Sequence, residues 1–191
     1  MKIRLLSPKL SFLSIFMLLV AVLCGVGSSA APLKDEYKVK VALVYNFARF
    51  CEWPDGAFEN DQSNLRVVVY GDRSLEPIFF ALDGMQVGER RIEVFLAETP
   101  DNIPQCHLLF LAKTERDDWP QIVAVLGKAP VLTVGEMNGF LESSGVLNLH
   151  LNKNKVSFEV NLDQARVNNI DISSRILKLA SSVVSKNKDG K

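Results

Sequence analysis

The chain has 191 residues, with 22 Lys and Arg against 22 Asp and Glu, and 48% of its residues are hydrophobic. So even a balance leaves no basic footprint for nucleic acid, and the length suits one domain with a substantial core but is short for two. Two histidines and three cysteines are thin material for a catalytic or metal-binding constellation.

Lys2, Arg4 and Lys9 precede a mostly apolar run, Leu10 to Leu23, that ends in the small residues Gly25 to Ala31. This predicts a secretory signal peptide over 1–30, with cleavage after Ala30 or Ala31. The competing reading is a retained anchor, but the unbroken apolar run is short of the roughly 20 residues that span a bilayer. Leu23, standing where a small residue would be expected, argues against lipidation of Cys24. Removal of 1–30 leaves 19 basic and 22 acidic side chains, a net charge of −3, in a single mature domain over 31–191. Cys51 and Cys106 then remain, either as one bridge in an oxidising compartment or as two free thiols. A bridge would stabilise the fold by about 4 kcal/mol in the chain-entropy model.

Residues 34–52 are predicted as the first helix, ended by Trp53-Pro54. Val39, Leu43, Phe47 and Phe50 lie on one side of it, and Val41, Val44, Tyr45, Ala48 and Cys51 on another, so both sides are apolar. One stripe packs on a sheet. The other needs a cover, either a later helix of the same chain or a partner surface in which Tyr45, Phe50 and Trp53 serve as anchors.

After a polar connection, "LRVVVY" (65–70) is a β-branched run of the kind buried on both faces. Gly71 to Ser74 is a turn, with Ser74 able to cap a short helix through Leu82. "RIEVFL" (91–96) is the second strand, "HLLFLA" (107–112) the third and "PVLTVG" (130–135) the fourth. A helix beginning near Trp119-Pro120 runs to Leu126, and a short one covers Glu136 to Glu142. "GVLNLHL" and "KVSFEVN" flank an Asn-rich turn as a hairpin. Asn161 caps a helix through Val167, and Ile172 to Val184 has the pattern of a last amphipathic helix. The fold class is therefore α/β: a single domain with a mainly parallel twisted sheet, helices on both faces and a C-terminal antiparallel hairpin at the edge.

No catalytic residue stands out. His107 and His150 each sit inside an apolar strand pattern, and Cys106 and His107, adjacent on a strand, point to opposite faces. No paired CxxC or HxxxH spacing supports a metal site, and neither a nucleophile elbow nor a phosphate loop is present. No cofactor is expected.

The ordered segments "VYNFARFCEWP", "LRVVVYGD", "LDGMQVGERRIEV", "CHLLFLA", "PVLTVGEMNGFLESSGVLNLHL" and "KVSFEVNLDQARVNNIDISSRILKLA" resemble the YfiR-like (HmsC-like) family of periplasmic proteins across nearly the whole mature chain. The resemblance implies a non-enzymatic repressor, often dimeric, that binds the periplasmic part of an inner-membrane diguanylate cyclase and lowers cyclic-di-GMP and biofilm formation. It adds no direct membrane insertion after cleavage. Tyr45, Asn46, Phe50 and Trp53 of the first helix, with Glu159, Asn161 and Arg175 of the closing motifs, are the residues it marks for partner or interface contact. For the last three a structural role competes, with Glu159 pairing with Arg175 and Asn161 capping a helix. Family members can carry disulfides, but "LRVVVY" has no cysteine, so a bridge to Cys106 would have to use Cys51. A small-ligand sensor is the alternative function. Its crevice would lie at the strand ends near Gly71-Asp72-Arg73 and Gly135-Glu136.

Overall fold

The computed structural model describes residues 31–153 and 155–185. The expected signal peptide, Asn154 of the hairpin turn and the tail after Ser185 lie outside them. Residues to Asp35 make up one unit and Glu36 onward a second, which carries the sheet. Among the described residues no helix is long and apolar enough to cross a membrane.

The first half comprises helix α1 (Ala31–Phe50), strand β1 (Cys51–Glu52), β2 (Leu65–Tyr70), the one-turn helix α2 (Glu76–Phe79), β3 (Gln86–Val87) and β4 (Arg90–Ala97). The second half comprises β5 (Leu108–Leu111), α3 (Trp119–Leu126), β6 (Leu132–Gly135), β7 (Leu147–Asn152), β8 (Lys155–Asn161), α4 (Leu162–Val167), β9 (Asp171–Ile172), α5 (Ser174–Leu177) and β10 (Ser182–Val184). Eight strands form one sheet in the order β10-β8-β7-β6-β5-β2-β4-β3. The β2–β4, β2–β5, β5–β6, β6–β7 and β8–β10 pairs are parallel, whereas β7–β8 and β3–β4 are antiparallel. This is the mainly parallel α/β architecture expected.

Strand β2 has β5 on one side and β4 on the other, which is why its apolar run is buried on both faces. Val67, Val69, Leu108 and Phe110 point to the face covered by α1, α2 and the C-terminal segment. Val68, Tyr70, Leu109 and Leu111 point to the face covered by α3 and the 136–145 turns. Alternation along the strands thus feeds two separate cores.

Four local expectations are corrected. The first helix ends at Phe50 and not at Glu52: Cys51 and Glu52 leave it to pair antiparallel with Ile172 and Asp171. Asp72, rather than Ser74, caps the following turn, accepting a hydrogen bond from Ser74 N at 2.8 Å. Glu136 to Glu142 is a series of turns around Gly139 and Phe140 and not a helix. Finally, Ile172 to Val184 is not one helix. Ser173 caps the single turn of α5, and the chain then becomes β10, with Ser182, Val183 and Val184 opposite Glu159, Val160 and Asn161. Ser181 and the two valines favour an extended edge over helix once β8 presents its unpaired groups. The hairpin is therefore flanked by this short parallel strand.

The two apolar stripes of α1 also resolve. Tyr37, Val41, Val44, Phe47 and Ala48 enter the core, Leu43, Tyr45 and Phe50 pack half-buried at its margin, and Val39 is exposed. Much of the second stripe is covered by the same chain.

Candidate functional site

A cavity of about 340 Å³ opens where the parallel strands end. Strand β6 stops at Gly135, opposite Asn148, while β7 runs on to Asn152, so the far half of β7 makes one wall. Glu36 and Lys40 of α1, Lys113 after β5, and Glu136, Met137 and Asn138 after β6 complete the lining together with Asn148 to Leu151.

Its floor is charged yet buried. The Lys40 ammonium and the Glu136 carboxylate form an ion pair with side chains only 4% and 3% exposed, and Glu36 meets the same ammonium from one helical turn earlier. Tyr37 donates its hydroxyl to Glu136 Oε1 at 2.6 Å, and Lys113 N–H reaches the same oxygen at 3.2 Å. Burial, and then the hydrogen bond to Glu136, raise the Tyr37 phenol above its ordinary value, so it stays a donor. Asn148 Oδ1 accepts from Met137 N–H at 3.2 Å and fixes the turn that presents Glu136. Both oxygens of the Glu136 carboxylate are thus occupied, as a buried charge requires.

A second cluster sits at the opposite ends of the strands. Phe58 stacks on His107 with centroids 4.1 Å apart, the Arg90 guanidinium lies 3.7 Å from the centroid of the Phe58 ring, and Trp53 meets both rings edge-on. His107 Nδ1 accepts from Arg66 N–H at 2.9 Å, which assigns the proton to Nε2, 3.1 Å from the Ala57 carbonyl. Burial holds its pKa below the ordinary imidazole value, helped by Arg66 and Arg90 and opposed by the Ala57 carbonyl. His107 is a structural pin for the 55–64 connection.

Of the residues singled out from the sequence, Phe50 and Arg175 come together: the Arg175 guanidinium lies 5.3 Å from the Phe50 ring, and Ser173 N–H donates to the Phe50 carbonyl. Tyr45 donates its hydroxyl to the Gln86 carbonyl, and Asn46 donates back to Ala42 within the helix. Trp53 donates Nε1–H to the His107 carbonyl at 3.0 Å. Asn161 does cap α4, accepting from Gln164 N–H and donating to the Leu141 carbonyl. Glu159 is not brought to Arg175. It lies on β8 between Asn148 and Ser182, and among the described residues the two form no ion pair. Nor does the structure join Cys51 to Cys106: both are free, buried thiols, and they belong to the cores on opposite faces of the sheet.

Of the two places named for a crevice, Glu136 lines the cavity. Gly71 to Arg73 does not, and Arg73 pairs instead with exposed Glu98. Sequence reasoning overlooked Lys40 and Tyr37. The signal was there, because Tyr37, Lys40, Val41, Val44 and Phe47 follow the spacing of one buried helical face, and a lysine on such a face requires a counter-charge.

A family model described as YfiR/HmsC-like matches residues 37–181. No curated protein matches the chain. Among solved structures, a conserved domain protein from Vibrio cholerae has a TM-score of 0.53 at 9% identity, covering 78% of this chain and 60% of its own. The ABC domain from Streptococcus pneumoniae, solved with L-Trp, has a TM-score of 0.47 at 11% identity, over 62% of this chain and 55% of its own. The chain thus spans less than two thirds of either structure, and the first likeness concerns the fold alone.

Proposed function

Because the chain belongs to the YfiR/HmsC-like family, we propose that it is a non-enzymatic periplasmic repressor of a membrane diguanylate cyclase. The family places it in the regulation of cyclic-di-GMP signalling. The finer reading is that, after loss of residues 1–30, the protein binds the periplasmic portion of an inner-membrane diguanylate cyclase, acts as a homodimer, and lowers cyclic-di-GMP and biofilm formation. The observation that carries it is the family match over 37–181, which includes both the Tyr45 to Trp53 stretch and the Phe158 to Leu162 stretch.

The contact surface in this reading centres on Phe50 and Arg175, with Tyr45 on the same helix. Phe50 and Tyr45 are half-buried, leaving aromatic edge for a partner, and Arg175 is exposed beside Phe50. Aromatic and Arg pairs of this kind are common anchors at interfaces. Asn46, Trp53, Glu159 and Asn161 then act mainly by holding that surface in place, through the hydrogen bonds and strand pairings described above. Repression is a matter of linkage: tighter binding to the inactive cyclase conformation shifts its equilibrium by the difference in affinity. About 5.5 kcal/mol of difference would move the cyclase from 99% active to 99% inactive.

The test is cellular cyclic-di-GMP with and without this protein, in backgrounds with and without the candidate cyclase. A rise on deletion that requires the cyclase supports repression, and Phe50→Ala should reproduce it without loss of the protein. No change in either background would overturn the reading.

A further inference from the structure

We propose that Asn138-Gly139 is a self-modification site, at which the Gly139 amide nitrogen attacks the Asn138 side chain and turns residue 138 into aspartate and isoaspartate. The inference goes beyond repression and stands whether or not a cyclase is the partner.

Asn138-Gly139 is the one Asn-Gly step in the sequence. A glycine after the asparagine matters because a side chain there would crowd the approach of the nitrogen to the amide carbon. Here nothing stands in the way: both residues are exposed, Gly139 has a φ of 78°, and a Cβ built on it would meet nothing within 4 Å. The reacting groups are also uncommitted. Among the described residues, the Asn138 side-chain amide makes no hydrogen bond and the Gly139 N–H has no acceptor. By contrast, the side-chain amides of Asn46, Asn161 and Asn168 are tied to the carbonyls of Ala42, Leu141 and Val131, which holds them away from their own backbone.

The Gly139 N–H gives its proton to solvent base as the nitrogen bonds to Asn138 Cγ. The Cγ–Nδ2 bond breaks, and ammonia leaves with a proton from water. Water then opens the cyclic imide. Cleavage at Cγ restores the main chain with an aspartate side chain, whereas cleavage at the main-chain carbonyl leaves the chain running through Cγ, one methylene longer.

The surrounding turn is pinned on both sides of this step. Asn148 Oδ1 holds the Met137 N–H, Ser143 holds the Gly139 carbonyl through its N–H and its hydroxyl, and Phe140 is buried against Gly135 and Gly145. Aspartate places a new negative charge two residues from Glu136, at the cavity that both line. Isoaspartate also lengthens the main chain between two fixed points, Met137 and Gly139.

The test is prolonged incubation of the purified protein at alkaline and at mildly acidic pH, read by isoelectric focusing and by peptide mapping with an isoaspartyl methyltransferase. A species with one more negative charge should accumulate, faster at alkaline pH, with aspartate and isoaspartate both at residue 138. Folded protein should convert within about tenfold of the rate of the urea-unfolded chain, because the turn leaves the step open. Asn138→Gln, whose longer side chain has to close a larger ring, should form no such species. The isoaspartate form should unfold at lower urea than the Asn138→Asp protein, which carries the charge without the extra methylene. The proposal is overturned if folded protein gains no charge over a period in which the unfolded chain converts fully, if the modification maps only to other residues, or if Asn138→Gln forms the acidic species as readily.

Discussion

Lys40 and Glu136 lie 96 residues apart in the chain and meet as a buried ion pair that fastens α1 to the end of β6. The pair is also what shapes the cavity floor, since Glu136 is held from three sides by Lys40, Tyr37 and the Lys113 amide. Lys40→Met would leave two carboxylates, Glu36 and Glu136, facing each other without their shared cation. The expected cost is about 3–5 kcal/mol, the usual penalty for stranding a buried charge. Urea midpoints would measure it. Lys40→Met combined with Glu136→Gln should recover a large part of the loss, because the two positions are directly coupled.

His107 predicts a pH dependence with a definite sign. The folded imidazole has its pKa lowered by burial, with Arg66 and Arg90 nearby, while in the unfolded chain it titrates near 6.5. The unfolded state therefore takes up the proton first as pH falls. This contribution to stability is present above about pH 6.5, declines below it, and levels off once pH passes the folded value. Protonation would also turn Nδ1 into a donor facing the Arg66 amide, which it now accepts from. Denaturation midpoints between about pH 8 and 5 should show the decline, and His107→Gln should remove that part of the slope.

What the sequence disclosed depended on the range of the interaction. The run 65–70, the Trp119-Pro120 helix start and the Asn161 cap are written in neighbouring residues, and the structure has them where local chemistry put them. The 172–184 segment misled because its apolar spacing suits a helix, while its outcome depends on the edge that β8 offers from 23 residues upstream. The Lys40–Glu136 contact is more distant still. Lys40 could have been flagged as a charge on an apolar face, but nothing local named Glu136 as its partner. The choice between a bridge and two free thiols stayed open for a related reason: which face of the sheet each cysteine takes depends on register, and register is set by strands elsewhere in the chain.

Phe140 makes a prediction about backbone space. Its ring, fully buried against Trp119 at a centroid distance of 4.6 Å, lies against both Gly135 and Gly145. A Cβ added at Gly145 would come within 2.3 Å of the ring, and one at Gly135 within 2.8 Å. Gly145→Ala should thus destabilise the protein by about 1–3 kcal/mol through overpacking. Phe140→Leu introduced alongside it should relieve part of that strain, visible as a double variant more stable than the sum of the two single changes. Additive losses would mean that the ring is free to move aside.

The last prediction concerns the thiols, which the fold separates. Cys51 and Cys106 are buried on opposite faces of the sheet, and burial pushes each thiol up to about 12, with Asp171 adding to the effect at Cys51. A thiol held that far above neutrality carries almost no thiolate and is a poor nucleophile toward oxidants or disulfide reagents. Two consequences can be measured. Labelling by a thiol-reactive dye should track global unfolding, rising with urea along the same curve as the loss of secondary structure. Reductant should leave the urea midpoint unchanged, because there is no bridge whose loss would release about 4 kcal/mol of loop entropy. A mass lower by two hydrogens under oxidising conditions, or a midpoint that falls on reduction, would show that the folded chain reaches a bridged state.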